Sequence, residues 1–245
     1  MSITFEDLMM PRYLVFTDLD GCLLDSQTYS FDAARPALER LQASHIPVVL
    51  VSSKTRAEIE PLRQQLNHQG PFIVENGGAV FVPPGTFDFP LDRARRRSTY
   101  HAIEFGTPYA MLRDVLKQIE EAVDTPLIGF GDLSIDEIME LTGLPREAAI
   151  RAKLREYDEP YLVQGPDTIA TEVCRQIITR GLQWTKGGRF FHLTGLNNKG
   201  QAALALLHCY KRQWNLDGSP DAVETVGIGH SLNDLPHLLA VDHPV

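Results

Sequence analysis

Residues 13–21 read YLVFTDLDG, a compact apolar run that stops abruptly at Asp18-Leu19-Asp20-Gly21. The run has the make-up of a strand, and two carboxylates two residues apart at its end can face one small volume where the strand splays into a loop. Taken alone, the pair is equally a solvated turn with an aspartate cap. Downstream, residues 31–42 (FDAARPALERLQ) have helical spacing, and residues 47–51 (PVVLV) are apolar throughout and mostly β-branched. That second run suits a strand buried on both faces of a parallel sheet. It leads into Ser52-Ser53-Lys54-Thr55 and a helical stretch, RAEIEPLRQQL, and residues 72–74 then lead into Glu75-Asn76-Gly77-Gly78. Strands alternating with helices imply βαβ units in a doubly wound α/β sheet. Each strand here ends in polar groups, and in such sheets the carboxyl ends of the strands form the ligand crevice.

The pattern changes near Pro83-Pro84-Gly85. STYHAIEF alternates like a half-exposed strand, YAMLRDVLKQIEEAV and SIDEIMELTGL read as amphipathic helices, and two further helix-to-strand units follow. LNNKGQAALALLHCYKRQ, AVETVGIG and NDLPHLLAV resume the strand–helix alternation. The expected organisation is a core in two pieces, 1–83 plus 191–245, with an inserted α+β unit over 84–190. DRARRR reads as a solvated surface segment. The chain stops at AVDHPV, where Pro244 and Val245 are expected to lead into another strand with further segments after it.

With 245 residues, 43% hydrophobic and 22% charged, the composition is that of an ordinary globular chain. The formal charge of −9 argues against general binding to nucleic acid or anionic membranes, although a local cationic cluster can still hold phosphate. Cys22, Cys174 and Cys209 are scattered without zinc spacing, which fits a reduced, cytoplasmic setting. Glu6 and Asp7 stand where an export signal needs basic residues, and no window approaches the roughly 18 apolar residues of a membrane span.

The DxD pair gains weight from three other features. Ser52 ends the second apolar strand, Lys199 opens a helix in NNKG, and Asn233 and Asp234 follow the last strand. Together they supply a nucleophile, an acid, a hydroxyl, a cation and a metal ligand, the parts of a phosphoryl-transfer site. Glu75 and Asn76 are either turn formers or cavity-lining residues. Cys22 reads as a small apolar filler. In GIGHSLND (227–234), His230 is open to three readings: a ligand, a base, or a residue that has displaced a better one.

DLDGCLL (18–24), Ser52, Lys199 and GHSLND (229–234) resemble the four motifs of the haloacid dehalogenase superfamily of phosphatases, and the long insert resembles the α/β (C2-type) cap of its Cof-like branch. SSKTRAEIE, IVENGGAVF, REYDEPYLV and TKGGRFFHLTG are further similar to strings of the mannosyl-3-phosphoglycerate phosphatases. The resemblance implies that Asp18 attacks phosphorus to form an aspartyl-phosphate, and that Asp20 protonates the leaving oxygen and later activates water. It implies that Ser52 and Lys199 hold the phosphoryl oxygens, and that Mg²⁺, with Mn²⁺ or Co²⁺ as alternatives, sits on Asp18, the Asp20 carbonyl and Asp234. The family pattern has Asp where this chain has His230, and an imidazole ligand there would weaken Mg²⁺. A substrate carrying a carboxylate as well as a phosphate needs a second cation, for which Lys186 and Arg189, flanking Gly187 and Gly188, are candidates. The implied reaction is hydrolysis of mannosyl-3-phosphoglycerate to mannosylglycerate by a monomer or small homo-oligomer. The alternatives are a Cof-like sugar phosphatase of broader specificity and a catalytically weakened binder of phosphorylated ligands.

Overall fold

The computed structural model describes residues 12–216 and 222–245. The N-terminal stretch carrying Glu6 and Asp7 lies outside them. Four parallel strands form the centre: β1 (Arg12–Thr17), β2 (Val48–Val51), β3 (Phe72–Val74) and β11 (Val223–Ile228). They join an eight-stranded sheet of order β12-β11-β1-β2-β3-β4-β6-β5, completed by β4 (Ala79–Val82), β5 (Arg95–Arg97), β6 (Tyr100–Glu104) and β12 (His243–Pro244). β12 pairs in parallel with β11, whereas β4, β6 and β5 run antiparallel. Thus His243 and Pro244 themselves pair with β11.

The near-continuous apolar strands are explained by burial on both faces. Val49, Val51, Ile73, Val80 and Val82 pack with Ala202, Ala203 and Leu206 of α7 (Lys199–Gln213). Their neighbours Leu50, Phe72, Val74 and Phe81 pack on the other face with Leu38 of α1 (Arg35–Ala43) and Ile59 of α2 (Arg56–Gln65). Alternate side chains of a strand point to opposite faces, so helices are required on both. Thr55 starts α2 with a reciprocal capping box: its Oγ1 accepts from Glu58 N at 3.1 Å, and Glu58 Oε2 accepts from Thr55 N at 2.8 Å.

A second sheet, of order β7-β8-β10-β9, is antiparallel and inserted between β6 and α7. Its strands are β7 (Leu127–Gly129), β8 (Asp158–Val163), β9 (Gln183–Gly187) and β10 (Phe190–Thr194). Leu112 and Leu116 of α3 (Tyr109–Val123) and Val173 and Ile177 of α6 (Asp167–Thr179) cover one face through Tyr161 and Leu193. α4 (Ile135–Thr142) and α5 (Arg146–Ala152) pack with Phe130 and Phe190 in a smaller cluster. Strand membership moves the expected boundaries. β5 and β6 belong to the first sheet and β10 to the second, so the chain crosses between the sheets after Glu104 and after Thr194, not at 83/84 and 190/191. The alternating pattern of residues 98–105 announced a strand but could not say which sheet it would join. No helix among the described residues is long and apolar enough to cross a membrane.

Candidate active site

The carboxyl ends of β1, β2, β3 and β11 deliver Asp18, Ser52, Glu75 and the 229–234 turn to one end of the first sheet. Opposite them lies the face of the second sheet left bare by α3 and α6, and between them is a cavity of about 490 Å³.

Lys199, the first residue of α7, is fully buried and lies between two carboxylates: Nζ is 2.8 Å from Asp18 Oδ1 and 2.6 Å from Asp234 Oδ1. Burial opposes the lysine charge, but Asp18 and Asp234 outweigh it and raise its pKa. One cation serves two acids, and they share it unequally. Burial raises the Asp234 carboxyl, but Lys199 and the Ser231 and His230 amides outweigh it and hold the pKa below the usual carboxylate range. The Asp18 carboxyl stands above that range because of burial, which with the Asp234 and Asp20 charges outweighs Lys199. Asp18 is therefore the carboxylate short of positive charge.

Asp20 lies two residues on, directly before Gly21, which turns the chain at φ +78°. Its Oδ2 pairs with Lys54 Nζ at 3.0 Å, and its Oδ1 has no hydrogen-bond partner among the described residues. Burial disfavours the Lys54 charge, but Glu58 and Asp20 more than offset it, so that pKa is raised. Ser52 is buried, and its Oγ accepts from the Lys54 amide at 3.1 Å; Ser53 and Lys54, not Ser52, line the cavity.

Several sequence expectations change here. Glu75 and Asn76 stand behind the cavity wall rather than on it. The Glu75 carboxylate accepts from Glu156 N at 3.0 Å and Tyr157 N at 2.7 Å, and Asn76 Nδ2 donates to Asp158 Oδ2 at 2.6 Å. Both tie the turn after β3 to the entry of β8. Gly77, at φ +85°, packs so closely on α7 that a Cβ would stand 2.2 Å from the Asn198 carbonyl. Lys186 is also displaced. It pairs with Phe191 in the β9–β10 ladder, and its ammonium lies 4.8 Å from that ring's centroid, on the sheet face covered by α3 and α6. Gly187, Gly188 and Arg189 do line the cavity. Asp234 does not offer a free oxygen to a metal: Oδ1 takes Lys199, while Oδ2 takes the His230 and Ser231 amides and the Ser231 hydroxyl, each at 3.0 Å. Oδ2 thus carries three donors and Oδ1 the Lys199 ammonium, so both oxygens are already engaged. His192 is buried against Asp158, with Nδ1 2.9 Å from Oδ1, and faces the cavity.

Two cavity cations escaped the sequence reading. Lys54 sat in the quoted SSKT without a role. Arg155 reaches from the inserted unit to donate to the Ser53 carbonyl at 2.8 Å, so both units contribute to one wall. Only the strand-end position of SSKT could have pointed to Lys54, and nothing local pointed to Arg155.

The haloacid dehalogenase-like hydrolase family matches residues 15–86. Over 233 residues the chain is 44% identical to the glucosyl-3-phosphoglycerate/mannosyl-3-phosphoglycerate phosphatase of Methanococcoides burtonii, covering 95% of this chain and 84% of that protein. It is 35% identical to the mannosyl-3-phosphoglycerate phosphatase of Pyrococcus furiosus over 229 residues, 94% of this chain and 88% of the relative. A haloacid dehalogenase-like hydrolase from B. subtilis shares the fold at a TM-score of 0.64 with 17% identity, over 94% of this chain and 87% of that one. The chain belongs to the haloacid dehalogenase-like hydrolases, and within them to the family of these phosphatases.

Proposed function

We propose that this haloacid dehalogenase-like hydrolase removes the phosphate of mannosyl-3-phosphoglycerate, releasing mannosylglycerate. The observation that carries the reading is Lys199, buried behind the cavity and clamped on Asp18, while Asp18 and Asp20 line a cavity that Arg155 and Arg189 also line. Asp18 attacks phosphorus and the leaving oxygen departs, splitting one displacement into two. Asp20 gives that oxygen its proton and afterwards takes one from the attacking water. Lys199, with Lys54 at the rim, offsets the charge that gathers on the phosphoryl oxygens. Arg189, next to the open backbone of Gly187 and Gly188, and Arg155 offer the second positive locus that a glycerate carboxylate requires.

Phosphatases of this family generally use Mg²⁺, which offsets the repulsion between two approaching anions. The donors here fit that ion poorly. Mg²⁺ asks for hard oxygens, but both Asp234 oxygens are already engaged by Lys199 and the 230–231 donors, and position 230 presents an imidazole.

The test is steady-state phosphate release from mannosyl-3-phosphoglycerate, its glucosyl analogue and glucose 6-phosphate, with Mg²⁺, Mn²⁺ and Co²⁺. The reading expects the mannosyl and glucosyl substrates to exceed glucose 6-phosphate clearly, and Asp18→Asn to abolish turnover. Equal rates on all three would instead indicate a broad sugar phosphatase. No release with any ion, with ligand binding retained, would indicate a binding protein.

A further inference from the structure

Three donors of different chemistry converge beside the Asp18 carboxylate. Cys22 Sγ lies 3.6 Å from His230 Nδ1, and the same nitrogen lies 3.7 Å from Asp18 Oδ2. One ligand atom from each residue lies within 4.8 Å of the other two, the one such cluster among the described residues. Tetrahedral Zn²⁺ takes sulfur at about 2.3 Å and nitrogen or oxygen at about 2.0–2.1 Å, which at the tetrahedral angle puts sulfur about 3.6 Å from nitrogen and nitrogen about 3.4 Å from oxygen. The spacings found are within a few tenths of an ångström of those edges.

Three further features suit an ion here. Gly21 opens the space in which the imidazole lies: a Cβ at that residue would stand 3.0 Å from His230 Nε2 and 3.1 Å from Cε1. Asp18 Oδ1 is taken by Lys199, which leaves Oδ2 as the oxygen facing His230. The His230 side chain is about half exposed, and Asp18, His230 and Ser231 line the cavity, so a fourth coordination position opens into it.

We propose that Asp18 Oδ2, Cys22 Sγ and His230 Nδ1 form a three-donor site for a thiophilic divalent cation, Zn²⁺ in preference to Mg²⁺. On binding, the Cys22 S–H bond breaks, its proton passes to solvent and a sulfur–metal bond forms; thiolate and Asp18 carboxylate together balance the two charges of the ion. An imidazole and a thiolate are donors that suit Zn²⁺ and Co²⁺, whereas Mg²⁺ requires octahedral oxygen. The site goes beyond the phosphatase reading and stands whether or not a phosphomonoester is turned over, because every readout below is of the ion and not of product.

The test titrates the metal-free full chain with Co²⁺ as a spectroscopic stand-in for Zn²⁺. The wild type should give a near-ultraviolet thiolate-to-Co²⁺ band and the intense visible bands of four-coordinate Co²⁺. Stoichiometric Zn²⁺ should bleach both, and a large excess of Mg²⁺ should leave them. Cys22→Ser should lose the near-ultraviolet band, and His230→Asp should lose the four-coordinate visible signature. Each should weaken Zn²⁺, measured against a chromophoric chelator, by at least about tenfold. Cys174→Ser and Cys209→Ser should change nothing. In the wild type, which needs no variant to fold, Zn²⁺ should slow alkylation of Cys22. A near-ultraviolet band that survives Cys22→Ser or follows another cysteine would overturn the site, as would displacement of Co²⁺ by comparable Mg²⁺ or unchanged Cys22 alkylation.

Discussion

Replacing Lys199 by methionine keeps most of the side-chain volume and deletes the ammonium that bridges Asp18 and Asp234. The lysine is fully buried, Asp234 is equally so, and the Asp18 side chain is 8% exposed, so both carboxylates would face each other with little solvent to screen them. Removing one partner of a buried pair costs about 3–5 kcal/mol. At roughly 2–4 °C per kcal/mol for a chain of this size, Tm should fall by roughly 6–20 °C. Without Lys199 the Asp18 carboxyl, already raised by burial, loses the charge that lowers it, and Asp234 loses its strongest lowering partner, so the folded pKa values of both move up. Groups raised in the fold stabilise it fully below the ordinary pKa and lose that contribution as pH rises through the folded value. The deficit of Lys199→Met should therefore be largest near neutrality and shrink on acidification towards about pH 5. Urea unfolding of wild type and variant at both pH values measures this, and adding Asp234→Asn should recover part of the loss. A deficit below about 1 kcal/mol, or one that does not change with pH, would refute the picture of a buried cation neutralising two acids.

Other expectations follow from buried groups and close backbone contacts. Burial pushes Glu75 up to about 8 from 4.5, against the pull of Arg155 and the amides it accepts from. Stability complete below the ordinary value is lost as pH rises through about 8, so Tm should decline on the alkaline side, and Glu75→Gln should flatten that decline in a thermal-melt series. Parallel profiles would contradict it. His68 and His237 are pushed down to about 4 by burial, so both stay neutral in the fold, and stability present above 6.5 is lost as pH falls through about 4. Their imidazole NMR signals should not titrate between about pH 7 and 5, and a midpoint near the ordinary value for both would count against this. Gly77→Ala should cost about 2–4 kcal/mol, because its Cβ meets the Asn198 carbonyl at 2.2 Å. Gly85→Ala, at a similar φ of +79° with no atom of the described residues within 4 Å, should cost only about 1 kcal/mol by denaturant unfolding. Equal losses at the two glycines would refute the contact argument.

The α/β class and the polar strand ends were legible because they follow from local chemistry. PVVLV can be buried on both faces only inside a helix-covered parallel sheet, and a polar residue directly after such a run must lie at the strand's end. That reasoning put Asp18, Asp20, Ser52, Glu75 and Asn76 at one end of one sheet, whereas Lys199 was legible only as a lysine opening a helix. The capping box at Thr55 is equally local, since cap and partner are three residues apart.

What the sequence left open depended on partners far along the chain. STYHAIEF alternates as a strand in either sheet, and only pairing with β4 assigned it to the first. Lys186 and Gly187 are neighbours in TKGGRF, yet the two-residue period of a strand sends them to opposite faces, and the register against β10 decides which face meets the cavity. Asp234 has the look of a metal ligand until Lys199 and the loop amides are seen to consume its oxygens. Cys22, an apolar filler by local reading, is 208 residues from His230 in sequence and 3.6 Å from it in space. Local periodicity and strand-end chemistry determined the scaffold and its reactive acids. Tertiary structure alone decided which lone pairs remain free and which side chains share a volume, because both depend on non-local contacts that no short-range pattern encodes.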